Sequence, residues 1–306
     1  MRESRTAVSP VDIFLHIPKT AGETMTAILW RQYGESGFLE VPDPHVVGEP
    51  GRPDASFASV KRLVGSNPSQ FRLVYGHMPF GIHEAVARPV RYFTMVRSPV
   101  ERAVSHFHYV RREPRHRLHQ EVVESRMTLH EYVTSGIAGE LENGQTALLA
   151  GLEQGAPSDD ATILDRALAN IEASFMAVGM TEDFDRSVVL FKLALGWKKP
   201  VVYETLNATS GRLPVTAVQT VTIDAIEARN LLDAALYRAV RTRFDAQIED
   251  AGVTMERELR QLRLGNALYR RYRNGPRRLL LAGWEQMHRP GVLPEASRVS
   301  TIGSNR

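Results

Sequence analysis

A chain of 306 residues, 43% hydrophobic and 24% charged, can enclose a sizeable core, and its usage is that of an ordinary globular protein rather than a fibrous or disordered one. The formal net charge of +3 is too mild to point to nucleic acid by itself. Cysteine is absent, which excludes disulfides and thiolate metal centres and suits a reducing compartment.

The opening residues MRESRTAVSP read as a polar arm without an apolar leader core, and no stretch reaches the length of a membrane span, so a cytoplasmic, soluble protein is expected. Val11–Ile17 reads as a buried strand, stopped by Pro18, with the small residues of Thr20–Gly22 forming a turn. A helix follows over Thr24–Tyr33, with Met25, Ile28 and Leu29 on one face. Strand, tight turn and helix in immediate succession open an α/β nucleotide fold. Pro42–Pro53 is a Pro/Gly-rich connection, Phe71–Tyr75 a short apolar run ending in Gly76-His77, and Val90–Val96 a further strand with Arg97 at its end. Pro99 suits the first turn of the next helix, whose stripe Val100, Ala103, Val104 and Phe107 should face a sheet.

Arg111–Gln120 reads as a basic break. Ser158–Glu172 should form a helix capped by Ser158, Phe175–Gly179 a strand, Phe184–Leu195 a helix and Thr222–Ile248 one long helix. Met255–Met287 is helical in parts and rich in arginine, and a flexible tail follows. These elements predict one α/β domain over 11–290, between an arm over 1–10 and a tail over 291–306. Between Arg91 and Arg126 arginines alternate with His106, His108, His116 and His119, which suits either an anionic partner or a solvated face.

The segment His16–Thr24, HIPKTAGET, has the chemistry of a phosphate-binding turn. Its small residues let backbone amides approach an anion, and the next helix directs its positive end there. Lys19 adds a mobile charge, and Thr20 and Thr24 add hydroxyls. It is neither a Walker A sequence nor GxGxxG, which counts against an ordinary ATPase and a dinucleotide dehydrogenase. On its own it also fits a terminated strand, a capped helix and a surface lysine. His77 follows a buried run and a glycine, where a neutral imidazole can accept a proton from a hydroxyl, although a core histidine would look the same.

FLHIPKTAGET resembles the phosphosulfate loop of Golgi-type and related bacterial sulfotransferases, especially the heparan sulfate 2-O-sulfotransferase-like branch. The resemblance covers about residues 11–215. It implies a P-loop-like sulfotransferase fold, with a central, mainly parallel sheet flanked by helices and a helical C-terminal extension. It also implies a sulfonate donor, 3′-phosphoadenosine 5′-phosphosulfate (PAPS), and the product adenosine 3′,5′-bisphosphate. Lys19 matches the lysine near the leaving phosphate, and Thr20, Ala21, Gly22, Glu23 and Thr24 match the surrounding loop. Arg97 and Ser105 match the pair that holds the 3′-phosphate. His77 matches the catalytic base, and Arg212, in a late loop over 207–212, is a looser match to a 3′-phosphate contact. Glu23 departs from the family pattern and suits a contact on the acceptor side or an alternative base. Asn143-Gly144-Gln145-Thr146 resembles an acceptor-side element, with a loop-stabilising role equally open, and Arg102 carries a weaker claim than Arg97 to the phosphate, the alternative being to stabilise or solvate its helix.

The implied reaction is sulfonate transfer to a hydroxyl of a saccharide, lipid or small metabolite. His77 would remove the proton and Lys19 would steady the leaving phosphate. The basic, histidine-rich stretch Arg102–His119 weakly favours an anionic saccharide. No metal-ligand spacing appears, so no metal is expected, and neither nucleic acid nor integral membrane association is expected; a homo-oligomer is compatible. A nucleotide kinase or other phosphotransferase would need the missing Walker sequence. A non-catalytic nucleotide-binding regulator would keep Lys19, Arg97 and Ser105 but turn His77 away from the acceptor.

Overall fold

The computed structural model describes residues 9–34, 37–41, 56–66, 71–153, 161–204 and 214–274. The Pro42–Pro53 connection, the Ser158 cap, the 207–212 loop with Arg212 and the 291–306 tail lie outside these residues.

Five strands form one sheet in the order β2-β3-β1-β4-β5, every neighbouring pair parallel. The strands are β1 (Val11–Leu15), β2 (Phe38–Val41), β3 (Leu73–Gly76), β4 (Val90–Val96) and β5 (Phe175–Met180). β1 is central and wholly buried, which is why VDIFL is almost unbroken apolar sequence. Its single charge, Asp12, is covered by two bonds from Arg91, at 2.7 and 2.9 Å, and by the Tyr33 hydroxyl at 2.5 Å. Parallel strands need crossover connections, and α1 (Gly22–Tyr33), α2 (Phe57–Ser66) and α8 (Phe184–Leu195) are among the helices that flank the sheet, whereas Val100, Ala103 and Phe107 of α3 (Pro99–Arg112) pack against other helices and not on the sheet as expected.

The predicted strands and first helices are all present. β2 was missed because it is an edge strand with only Val41 buried and a glutamate in its middle. α1 begins two residues earlier than expected, since Ala21 turns left-handed (φ 62°) and lets Gly22 open the helix. α3 carries Pro99 in its first turn and ends at Arg112, and α4 (His119–Glu124) resumes after the expected basic break. Short helices α5 (Leu129–Thr134) and α6 (Gly144–Leu149) and the longer α7 (Ala161–Ser174) complete the middle of the chain.

The long helix predicted over Thr222–Ile248 is in fact two, α9 (Thr220–Ala228) and α10 (Leu231–Asn274), the latter broken at Gly252. The reason lies far away in sequence. Asn143 Oδ1 accepts from the Leu232 and Asp233 amides at 2.9 and 3.2 Å, and Asn230 Oδ1 accepts from the Asn143 amide at 3.1 Å. This reciprocal cap gives α10 a new N-terminus. A second, smaller apolar core lies between α3, α4, α5 and α9, around Phe107, Val110, Tyr132 and Ile226. Among the described residues no helix is long and apolar enough to cross a membrane.

Gly76 ends β3 at φ 150°, and a Cβ there would stand 2.6 Å from both Val41 Cβ and the Val41 carbonyl oxygen. Gly76→Ala should therefore push β2 off β3 and lower stability by about 1–3 kcal/mol. Urea unfolding monitored by circular dichroism will show this as a lower midpoint, with the slope unchanged.

Candidate active site

Because β3, β1 and β4 are adjacent and parallel, the residues that follow them emerge at one sheet edge. Leu15 is registered with Gly76 on one side and Thr94 on the other. The His16–Ala21 turn, His77 and Arg97 are thus brought together at the carboxyl ends of the strands, where open α/β sheets bind ligands.

The turn is tight. Lys19 and Ala21 both adopt left-handed backbone (φ 73° and 62°), a conformation costing about 1–2 kcal/mol for a residue with a Cβ. Fully buried Thr20 donates its hydroxyl proton to the Ile17 carbonyl at 2.7 Å, so this side chain closes the turn internally. Helical bonding starts with the Met25 amide donating to Ala21, leaving the amides at the start of α1 with no partner inside the helix. A helix of 12 residues aimed at the turn adds the favourable dipole for an anion. Thr24 is buried beneath this end, whereas Glu23 is exposed.

Gly22 is required by His16. A Cβ on Gly22 would lie 2.0 Å from His16 Cε1, so the imidazole occupies the notch that glycine leaves. The His16 ring stacks on Tyr75 and lies 4.5 Å, centroid to centroid, from the ring of half-buried His77. Tyr75 Oη is 3.3 Å from His16 Nδ1 and 2.6 Å from Thr26 Oγ1, a hydrogen-bonded chain that ties His16 to α1.

On the opposite side, Arg97 donates through Nη1 to the Lys19 carbonyl at 3.0 Å and through Nη2 to Glu101 at 3.1 Å. The Lys19 ammonium rests 3.6 Å from the ring centroid of Tyr109. Glu101, Ser105 and Tyr109 follow at four-residue steps on α3, so Ser105 lies on the face that carries both of these contacts. Lys19, Arg97 and Ser105 are brought around one turn. Glu101 and Tyr109 were not singled out from sequence, although their spacing from Arg97 and Ser105 carried the signal.

Arg102 and the Asn143–Thr146 element take the structural one of their two open roles. Wholly buried Arg102 donates to the carbonyls of Pro18 at 3.3 Å and Glu140 at 2.8 Å, and faces Asp233 at 3.7 Å. Burial lowers its pKa, while Asp233 and Glu140 oppose that shift. Asp233 accepts from the Thr146 amide and hydroxyl, both at 2.8 Å, and from the Gln145 amide at 3.2 Å. The Gln145 side chain brackets Arg97, accepting from its amide at 2.9 Å and donating to its carbonyl at 2.8 Å.

The basic stretch does not form one anion-facing surface. Arg91 pairs with Asp12, and Arg102, His106 and His116 are buried. Arg115 and Arg117 pair with Glu113 and Glu140, and Arg111 lies over Phe107. Several of its polar groups are thus used within the fold, while Arg111, Arg112 and Arg115 remain exposed.

The sequence pattern of galactose-3-O-sulfotransferases matches residues 2–276. The chain belongs to this family. Its kinship with PAPS-dependent sulfotransferases at large stands, and the 2-O-sulfotransferase-like branch gives way to the galactose-3-O branch. Galactose-3-O-sulfotransferase 3 of Bos taurus is 34% identical over 117 residues, covering 38% of this chain and 27% of that protein. Galactosylceramide sulfotransferase of Bos taurus is 28% identical over 281 residues, covering 85% of this chain and 63% of that protein. The chain thus spans less than two thirds of either relative. A sulfotransferase structure from Alicyclobacillus acidocaldarius aligns with 76% of the chain and 95% of its own length, at 14% identity and a TM-score of 0.42.

Proposed function

We propose that this family member transfers a sulfonate group from PAPS to a hydroxyl of a galactose-bearing saccharide or glycolipid. The observation that carries the reading is the convergence of Lys19, the N-terminus of α1 and Arg97 on one turn at the sheet edge, with His77 beside it. The names of the matched relatives support galactose as the acceptor sugar.

PAPS supplies an activated sulfonate and a bisphosphate leaving group. The α1 amides and the Lys19 ammonium fit its phosphosulfate end, and Arg97 with Ser105 fits the 3′-phosphate. His77 accepts the proton of the acceptor hydroxyl as its oxygen forms the new bond to sulfur. The bond from sulfur to the phosphate oxygen breaks, and its electron pair leaves with adenosine 3′,5′-bisphosphate. Lys19 and the helix amides neutralise charge gathering on that oxygen. Arg102 and Gln145 act through others, holding the turn and Arg97 in position.

The test is incubation with PAPS and separate β-galactosides, galactosylceramide and galactose-free hydroxyl acceptors, with mass spectrometry of products. An 80-Da gain on galactose-bearing acceptors alone is the expected result; transfer only from ATP with magnesium would overturn the reading. His77→Ala should bind adenosine 3′,5′-bisphosphate as the parent does and turn over about a hundredfold more slowly. Unchanged turnover would remove His77 from the mechanism.

A further inference from the structure

The small core beside the transfer site contains polar groups that this reaction does not use. His106 on α3, His116 in the connection to α4, and Glu140 in the short 3₁₀ helix Gly139–Leu141 are each at least nine-tenths buried. One donor atom from each lies within 4.8 Å of the other two. Glu140 Oε1 is buried without a hydrogen-bond partner, which would be costly for a carboxylate oxygen if nothing else bound it. His106 Nε2 faces this atom at 3.7 Å.

We propose that His106, His116 and Glu140 form a structural site for a divalent ion of the zinc class, separate from the residues assigned to sulfonate transfer. Two imidazoles and one carboxylate are the donor set of a borderline cation rather than of calcium or magnesium. At metal–ligand distances of about 2.0–2.2 Å, tetrahedral donors stand roughly 3.4 Å apart, so closure needs shifts of about 1.4 Å or less.

The surroundings already orient two of the donors. His106 Nδ1 is 2.8 Å from Tyr132 Oη. With Nδ1–H donating to that oxygen, Nε2 presents its lone pair to Glu140. Arg117 fixes the other carboxylate oxygen at 2.6 Å.

Two features oppose binding. The Arg117 charge repels a cation, and the His116 Nδ1 bond from the Leu118 amide, 3.2 Å long, is lost whichever ring nitrogen coordinates. Against one long bond and a half-exposed guanidinium stands a buried carboxylate oxygen that gains a partner.

An ion here would join α3, the connection to α4 and the segment entering α6. Since Arg102 holds both the Glu140 carbonyl and Pro18, it would also brace the phosphate turn.

The test uses the full chain, stripped with chelator and titrated with Co²⁺ and Zn²⁺. One equivalent of Co²⁺ should produce visible absorption bands of a low-coordinate site. Zn²⁺ at a hundredfold excess over its dissociation constant should raise the melting temperature by about 5 °C. Glu140→Gln and His116→Gln, checked for folding by circular dichroism, should each weaken Co²⁺ binding at least tenfold, whereas His108→Gln should not. The proposal fails if the parent chain shows neither bands nor a thermal shift, or if Glu140→Gln and His116→Gln bind as the parent does. Because no readout is activity, this outcome is independent of the sulfotransferase assignment.

Discussion

Lys19→Ala is expected to slow sulfonate transfer by about a thousandfold while lowering stability by no more than about 2 kcal/mol. The lysine sits in the turn, and its ammonium is held over Tyr109. A cation on an aromatic face contributes about 0.5–2 kcal/mol, less than a charge-assisted bond to a phosphate in a dry site, so the ammonium can leave Tyr109 for the donor. Its main effect should fall on kcat, because negative charge grows on the leaving oxygen only as the sulfur–oxygen bond breaks. Lys19→Arg should restore little, since a planar guanidinium cannot replace a compact ammonium within this turn. Steady-state kinetics with saturating acceptor provide the check. A loss below tenfold would show that Lys19 does not touch the leaving group.

Arg102→Ala should destabilise the chain by about 3–5 kcal/mol, the cost of breaking a buried ion pair from one side. Its guanidinium has no access to water and is held by Pro18, Glu140 and Asp233. Removing it leaves the Asp233 carboxylate buried, though still bonded to the Gln145 and Thr146 amides. Asp233→Ala should cost a similar amount. The double variant should be clearly more stable than the sum of the two losses predicts, because the second change removes the charge that the first left unpaired. Urea unfolding of all four proteins measures the coupling, and strict additivity would dismiss the pair as an interaction. Arg102→Ala should also weaken donor binding, since the Pro18 carbonyl loses its anchor at the base of the phosphate turn.

The α/β class, the strands β1, β3, β4 and β5, the turn between β1 and α1, and the position of Arg97 at the end of β4 were all legible from the chain alone. Each depends on local pattern: apolar runs of strand length, small residues at a turn, and a proline in the first helical turn. The affinity with PAPS-dependent sulfotransferases was carried by the same short segments. The branch was not, because those short segments resemble the wider superfamily, while the family match extends over 2–276.

Other features were decided by partners distant in sequence. The split of α9 from α10 depends on Asn143, the burial of Arg102 on Asp233, and the seat of Arg97 on Gln145. A basic, histidine-rich stretch that reads as a surface turns inward because Tyr132 and Glu140 meet it across a second core. Periodicity reports which face of an element avoids water, and so it determined the sheet, while small residues marked the turn after β1. It is silent on which polar groups satisfy one another across the fold, and only the tertiary structure decided that.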